Sequence, residues 1–330
     1  MKLNRILLPA ALAAVLAALP GCKKEDTTTK TLDGYLTVTM PHYMQPGDSK
    51  TFQIDTMMTL ICPDGLPVGY YFYDTNRKVS DTLVTADGVI REHYYTYTAP
   101  DEKGTLSLTL GGFVAPGSNY SSVQATAKFI VVVPGLTEDS SISHFDKSTS
   151  QTFTDSRDNK NYYYTSIGGR DWMRQNLAWK GAGRPYDACE AMTDVFGRYY
   201  TWEEAQTACP EGWRLPTDAE WAALKTGAEA GKDIDGLAGK MMGDIYFNGN
   251  KMWEYWRDVK ITDELLFSAM PVGYCAGNIF DGTYTFAAFW TSDEADGLGV
   301  CRYIYQDKDI VYCGRMSKTD FFASVRCVRE

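Results

Sequence analysis

Apolar and polar positions alternate in short runs through the first half of the chain. Residues 34–40 place Leu36, Val38 and Met40 on one side and Thr on the other, the two-residue period of a strand with one buried face. Residues 51–55, 69–73, 93–98, 104–110 and 124–133 read as further strands. Clusters of Pro, Gly and Asp at 45–48, 63–65, 86–88, 100–104 and 116–117 separate them, and these are the residues that tight turns require. Short strands, regular turns and no helical period predict a β-sandwich over residues 33–135.

The pattern changes after a polar, turn-rich stretch at 134–141, which sets a linker at 136–147 and a second domain at 148–330. Residues 151–155 and 162–167 flank a polar turn and predict a hairpin, followed by a strand at 172–177. Thr201 with Glu204, and Thr217 with Glu220, each spell Thr-x-x-Glu, the reciprocal capping box of a helix start. Trp202, Ala205 and Cys209 then share one helical face, and Trp221 and Leu224 another. Residues 302–311 form a second strand–turn–strand unit around a turn at 306–309. The expectation is an α+β chain: a sandwich, then two short helices with an irregular antiparallel sheet.

The N-terminus carries Lys2 and Arg5, then an uncharged apolar run at 6–19. That run is shorter than the roughly 20 residues a membrane span needs and has the form of a signal peptide, residues 1–21. Leu19-Pro20-Gly21-Cys22 resembles a bacterial lipobox, which implies acylation of Cys22 and a membrane partner through the lipid. Residues 23–30 contain no apolar side chain, so 22–32 reads as a solvated tether. Its basic-then-acidic order resembles the surface-export signals of Bacteroidetes lipoproteins, implying an outward-facing outer-membrane location. Asp26-Thr27-Thr28, Asp55-Thr56-Met57 and Asp81-Thr82-Leu83 resemble the O-glycosylation sites of exported proteins of that group.

Formal charge is −10, which argues against nucleic acid as a partner, since phosphate binding needs clustered Lys and Arg. All 8 Trp lie beyond residue 170, a compositional shift that supports the boundary. Of the 8 Cys, Cys22 is assigned to lipid and Cys62 reads as a buried apolar residue. The remaining Cys189, Cys209, Cys275, Cys301, Cys313 and Cys327 read as the disulfide framework of an exported domain. The three His, at 42, 93 and 144, all precede residue 148, which excludes a Ser–His–Asp triad from the second domain. No phosphate-cradling Gly motif is present. Asp233 and Asp235, and Asp293, Glu294 and Asp296, supply oxygens for calcium, but neither group spells a full calcium loop; they read as solvated acidic turns, and no cofactor is assigned.

Residues 209–221 read Cys-Pro-Glu-Gly-Trp-Arg-Leu-Pro-Thr-Asp-Ala-Glu-Trp, and 172–177 read Trp-Met-Arg-Gln-Asn-Leu. With the blocks at 267–274, 289–294 and 324–329, this series resembles the Fibrobacter succinogenes major paralogous domain, a module of secreted and lipid-anchored bacterial proteins akin in fold to C-type lectins. The resemblance implies a C-type-lectin-like second domain behind a first domain that is Ig-like in architecture only. It also implies a Cys209–Cys327 bridge. Cys301 and Cys313 flank the 302–311 unit as its staple, which leaves Cys189 with Cys275 by elimination. In lectin-like folds the long loop region carries the ligand. Here that region is 248–281, with Trp253, Tyr255, Trp256, Asn278 and Phe280 as binding residues. Trp172, Trp202, Trp213, Trp221 and Trp290 are assigned to the core. Residues 214–221 and 325–328 also resemble the formylglycine-generating enzymes, whose chemistry needs a close Cys pair. With Cys301 and Cys313 read as a staple, the match implies kinship of fold without that activity. The expected role is a non-catalytic adhesion or binding head for a surface glycan or protein. The alternatives are a formylglycine-type modifying enzyme and a structural subunit of a surface filament.

Overall fold

A computed structural model describes residues 28–134, 142–143 and 147–329. The signal segment, Cys22, the first Asp-Thr triplet apart from Thr28, residues 135–141 of the linker region and His144 lie outside the described residues. Strands dominate and helices are few and short, a mixed α+β class with several antiparallel sheets.

In the first half, five strands pair in the order Tyr43–Met44, Val123–Val131, Gly104–Phe113, Gly69–Asp74, Val79–Val84. Ser49–Gln53 and Tyr94–Thr98 form a separate antiparallel ribbon. Phe52 and Tyr97 from the ribbon and Phe72, Leu108, Leu110 and Phe129 from the sheet share one core, with Cys62 buried among them. Phe72 stacks on Tyr95 at 4.5 Å and meets Phe52 at 5.0 Å, locking ribbon to sheet. Each ring buried this way contributes roughly 1.5–3 kcal/mol. The expected strand at 34–40 is corrected. Leu36 and Met40 are buried as the alternation requires, yet no ladder runs along the segment. Alternation reports one-sided burial, while a ladder also needs a neighbour in register. The reverse holds for Val79–Val84, an edge strand exposed over its first four residues, whose polar start hid it.

In the second half, Gln151–Asp155, Lys160–Ile167, Arg170–Met173 and Val328–Arg329 form a four-stranded antiparallel sheet. A larger sheet runs Ile234–Asp235, Ile310–Met316, Leu298–Tyr305, Phe286–Ala295, Val272–Ala276, Ile279–Thr283. Both capped helices are present, Trp202–Ala208 and Asp218–Ala222. Thr201 Oγ1 accepts from the Glu204 amide at 3.1 Å and Glu204 accepts from the Thr201 amide at 2.8 Å; Thr217 and Glu220 do the same at 3.2 and 2.9 Å. Two further helical turns, Thr193–Phe196 and Ala238–Met241, carry no side-chain cap.

Part of the larger sheet is packed on both faces. Ala288, Trp290 and Cys301 pack with Tyr162 and Trp213 on one side. Phe289, Ile304 and Val311 pack with Trp172, Trp221 and Trp253 on the other. Trp202 is half-buried, its indole donating to the Thr291 carbonyl at 3.0 Å. A further cluster crosses the linker, setting Tyr43, Ile130 and Val132 against Phe196, Tyr199, Phe247 and Val272.

Cys209 and Cys327 are bonded across a separation of 118 residues. The other expected pairs are corrected: Cys189, Cys275, Cys301 and Cys313 are free thiols. Cys301 pairs with Gly314 and Arg302 with Cys313, so the two thiols project from opposite faces of the sheet. A one-residue offset is enough to forbid the staple. The Cys189 thiol turns to the Tyr43 carbonyl at 3.2 Å and that of Cys275 to the Gly277 carbonyl at 3.6 Å.

Candidate binding surface

The loop residues singled out from the sequence separate. Trp253 is fully buried and its indole donates to the Ala269 carbonyl at 2.8 Å, so it is a core residue and its binding role is withdrawn. Phe280 is half-buried, its ring 4.9 Å from Tyr186 and 5.1 Å from Tyr199, which makes it largely a packing residue. Asn278 is exposed but its side-chain oxygen already accepts from Arg184 at 3.1 Å. Tyr255 at 84 % exposure and Trp256 at 40 % face solvent.

Trp256 leads to a surface that the sequence reading missed. With the Gln306 amide oriented to satisfy both neighbours, its oxygen accepts from the Trp256 indole at 3.2 Å and its nitrogen donates to the Tyr284 carbonyl at 3.1 Å. Gln306 follows Tyr305, the last residue of the Leu298–Tyr305 strand. Tyr305 pairs with Phe286, and Tyr303 with Tyr312, so Phe286, Tyr303, Tyr305 and Tyr312 lie on one face. Ring follows ring across the strands. Tyr312 stacks on Tyr303 at 5.1 Å, Tyr303 meets Phe286 at 5.5 Å, and Phe286 meets Tyr274 at 5.3 Å. Phe286 is the buried floor, Tyr274, Tyr303 and Tyr312 are half-buried, and Tyr305 is 46 % exposed. Gly314 makes the row possible. A Cβ there would stand 2.7 Å from the Tyr303 ring, so only glycine lets the phenol lie over its neighbour strand.

Carboxylates border the row. The Tyr274 hydroxyl donates to Asp281 at 3.4 Å. At the opposite edge Asp235 pairs with Ile310, and Asp233 accepts from the Cys313 amide at 2.8 Å. Burial, then the carboxylates of Asp307 and Asp233, push the Tyr312 phenol up; burial and Asp281 do the same for Tyr274. These phenols are therefore neutral at ordinary pH and act as donors and as π faces. Such a surface stacks on apolar rims and attracts cations, and contributes no nucleophile.

Four of the five acids considered for calcium are engaged otherwise. Asp233 holds Cys313, Asp293 accepts from the Asp218 amide at 2.7 Å, and Glu294 and Asp296 pair with Lys318 and Arg315. Among the described residues no three His, Cys, Asp or Glu side chains gather as a metal site. Burial pushes the Cys301 thiol up to about 12 and also raises that of Cys313. A groove of about 580 Å³ also runs along the seam between the halves, lined by His42, Tyr43, Asp187 and Cys189. Most of its polar side chains are engaged within the chain: His42 contacts Asp187 at 3.0 Å, Glu190 pairs with Arg198 at 3.0 Å and Asp194 with Lys160.

The tyrosine row was within reach of the sequence. Tyr303 and Tyr312 stand at equal distances from the middle of the 306–309 turn, so a two-stranded unit centred there pairs them. The contribution of Tyr274 and Phe286 depends on a crossover that no local pattern announces.

A family model described as Fibrobacter succinogenes major domain matches residues 165–329. No curated protein and no solved structure matches the chain.

Proposed function

The chain belongs to the Fibrobacter succinogenes major domain family, and from that premise we propose that it is a lipid-anchored outer-membrane protein, facing outward, that binds a surface glycan or protein. In this reading the first half is an Ig-like spacer and the second a C-type-lectin-like head. The observation that carries the reading is the tyrosine row with Tyr255 and Trp256 at its end: exposed aromatic rings on a rigid sheet, with donors at their rims. The anchored location is supported by Cys22 and the apolar run before it.

The test is binding of the full chain to arrays of glycans and matrix proteins, with and without a calcium chelator. A ligand is expected whose binding survives chelation and falls by about tenfold, the effect of roughly 1.4 kcal/mol, in the double variant Tyr303→Ala/Tyr305→Ala. Loss of binding on chelation, with no effect of the double variant, would move the site to the acidic turns. The exposed Ile279 and Tyr255 favour one second reading, a structural subunit that meets its neighbours through apolar side chains. Recovery of a fixed set of surface proteins after crosslinking of intact cells would select it.

A further inference from the structure

Several aromatic rings in the second half carry one of the chain's own cations. Arg184 lies 3.7 Å from the Phe322 ring, Arg157 4.1 Å from Trp179 and Lys318 4.3 Å from Trp202. Arg329 lies 4.4 Å from Tyr164 and 4.6 Å from Trp213. Among the described residues no Lys or Arg lies over Tyr274, Tyr303, Tyr305 or Tyr312. That row is also edged by carboxylates at both ends, Asp281 on one side and Asp233 and Asp235 on the other. The one basic residue in the adjoining turn, Lys308, stands between Asp307 and Asp309. Arg315 projects from the opposite face of the sheet and pairs with Asp296. Lys225 donates to the Asp235 backbone carbonyl, which leaves the Asp235 carboxylate without an ion pair among the described residues.

Ring faces and carboxylates have the same sign of potential, and the chain as a whole is at −10. Such a strip repels sulfated and uronic-acid glycans. A neutral sugar gains from the rings but gains no charge interaction from the acids. A cation gains from both. We propose that the tyrosine row takes a positively charged segment of a protein partner, with Lys or Arg side chains laid across Tyr303, Tyr305 and Tyr312 and their charged ends reaching Asp281 or Asp235. The half-exposed rings suit this mode, because a Lys or Arg stem packs on an aromatic face while its head stays wet. This inference rests on the reading that the tyrosine face is the ligand surface.

The experiment titrates the full chain with hexa-lysine, hexa-arginine, a neutral hexasaccharide and heparin, followed by calorimetry at low ionic strength and at about 1 M, where the Debye length is about 3 Å. The basic peptides are expected to bind and heparin not to bind. High salt is expected to weaken the peptides about tenfold or more. Asp281→Asn/Asp235→Asn, which keeps every ring, is expected to weaken them about tenfold. Tyr303→Leu/Tyr305→Leu, which keeps every charge, is expected to do the same. Thermal melting confirms that each variant folds. Hexasaccharide binding that depends on the tyrosines, without peptide binding, overturns the cationic ligand and leaves the tyrosine face as the site. Peptide binding unchanged by the tyrosine variant shows diffuse attraction to an acidic surface and overturns both. No binding of either peptide overturns the inference.

Discussion

Trp253 and Trp256 are three residues apart and meet opposite fates. The first is sealed in the core with its indole satisfied; the second lies at the margin of the tyrosine row. Trp253→Ala leaves a cavity and is expected to cost about 3–5 kcal/mol, read as a lowered midpoint in denaturant. Trp256→Ala is expected to cost under about 1 kcal/mol while weakening ligand binding. Glu220 shows a single side chain acting twice. It closes the cap on Thr217 and takes two hydrogen bonds from Arg214 at 2.8 and 2.6 Å, with Arg170 also 2.7 Å away. The bonds from Arg214, ahead of the cap, hold its carboxyl down at about 2 against an ordinary 4.5. A depressed carboxylate stabilises the fold above the unfolded value and loses that contribution as pH falls. Stability is therefore expected to drop between pH 4.5 and 2, with the slope in that window reduced in Glu220→Gln. Equal acid slopes in both proteins would show that Glu220 is not the group responsible.

At the scale of elements, pairing register decides the chemistry. The strands Leu298–Tyr305 and Ile310–Met316 form where the residues flanking the 306–309 turn place them, but their register sends Cys301 and Cys313 to opposite faces. Non-reducing peptide mapping is expected to recover one bridge, Cys209–Cys327, with Cys301 and Cys313 alkylated after denaturation. A Cys301–Cys313 peptide would refute the register. Removing the long bridge by Cys209→Ser is expected to cost about 4–5 kcal/mol in the chain-entropy picture, whereas Cys313→Ser is expected to leave the bridge intact. The same register stacks Tyr303 on Tyr312. One pairing thus keeps Cys301 and Cys313 apart and builds the aromatic row. The capped helices were legible because a Thr-x-x-Glu box is satisfied within four residues, by bonds that depend on no distant partner. Alternation at 34–40 predicts a strand that does not form, because a ladder also depends on a distant partner in register.

Across the whole molecule, the two halves share apolar surface. Tyr43 and Val132 from before the linker pack with Phe196, Phe247 and Val272 from after it, and Ile142–Ser143 pairs with Tyr246–Phe247. Cutting the chain to residues 148–330 uncovers this cluster. The shortened protein is expected to lose several degrees of Tm, the shift that about 1 kcal/mol produces in a domain of 150–250 residues, and to bind more of a hydrophobic dye. An unchanged Tm would mean that the seam adds nothing to stability. Alternation, capping boxes and the spaced motif blocks let the sequence alone establish the family, the mixed α+β class, both helix starts and most strands. Each of these rests on neighbours close in the chain or on a recurring order of residues. The sequence did not determine which Trp is buried, which thiols meet, or that Tyr274, Tyr303, Tyr305 and Tyr312 converge. Those outcomes depend on which strands lie side by side and in what register, and a one-residue shift there moves a side chain from core to surface. Only the tertiary structure makes that choice, because packing on both faces of the larger sheet is satisfied in one register at a time.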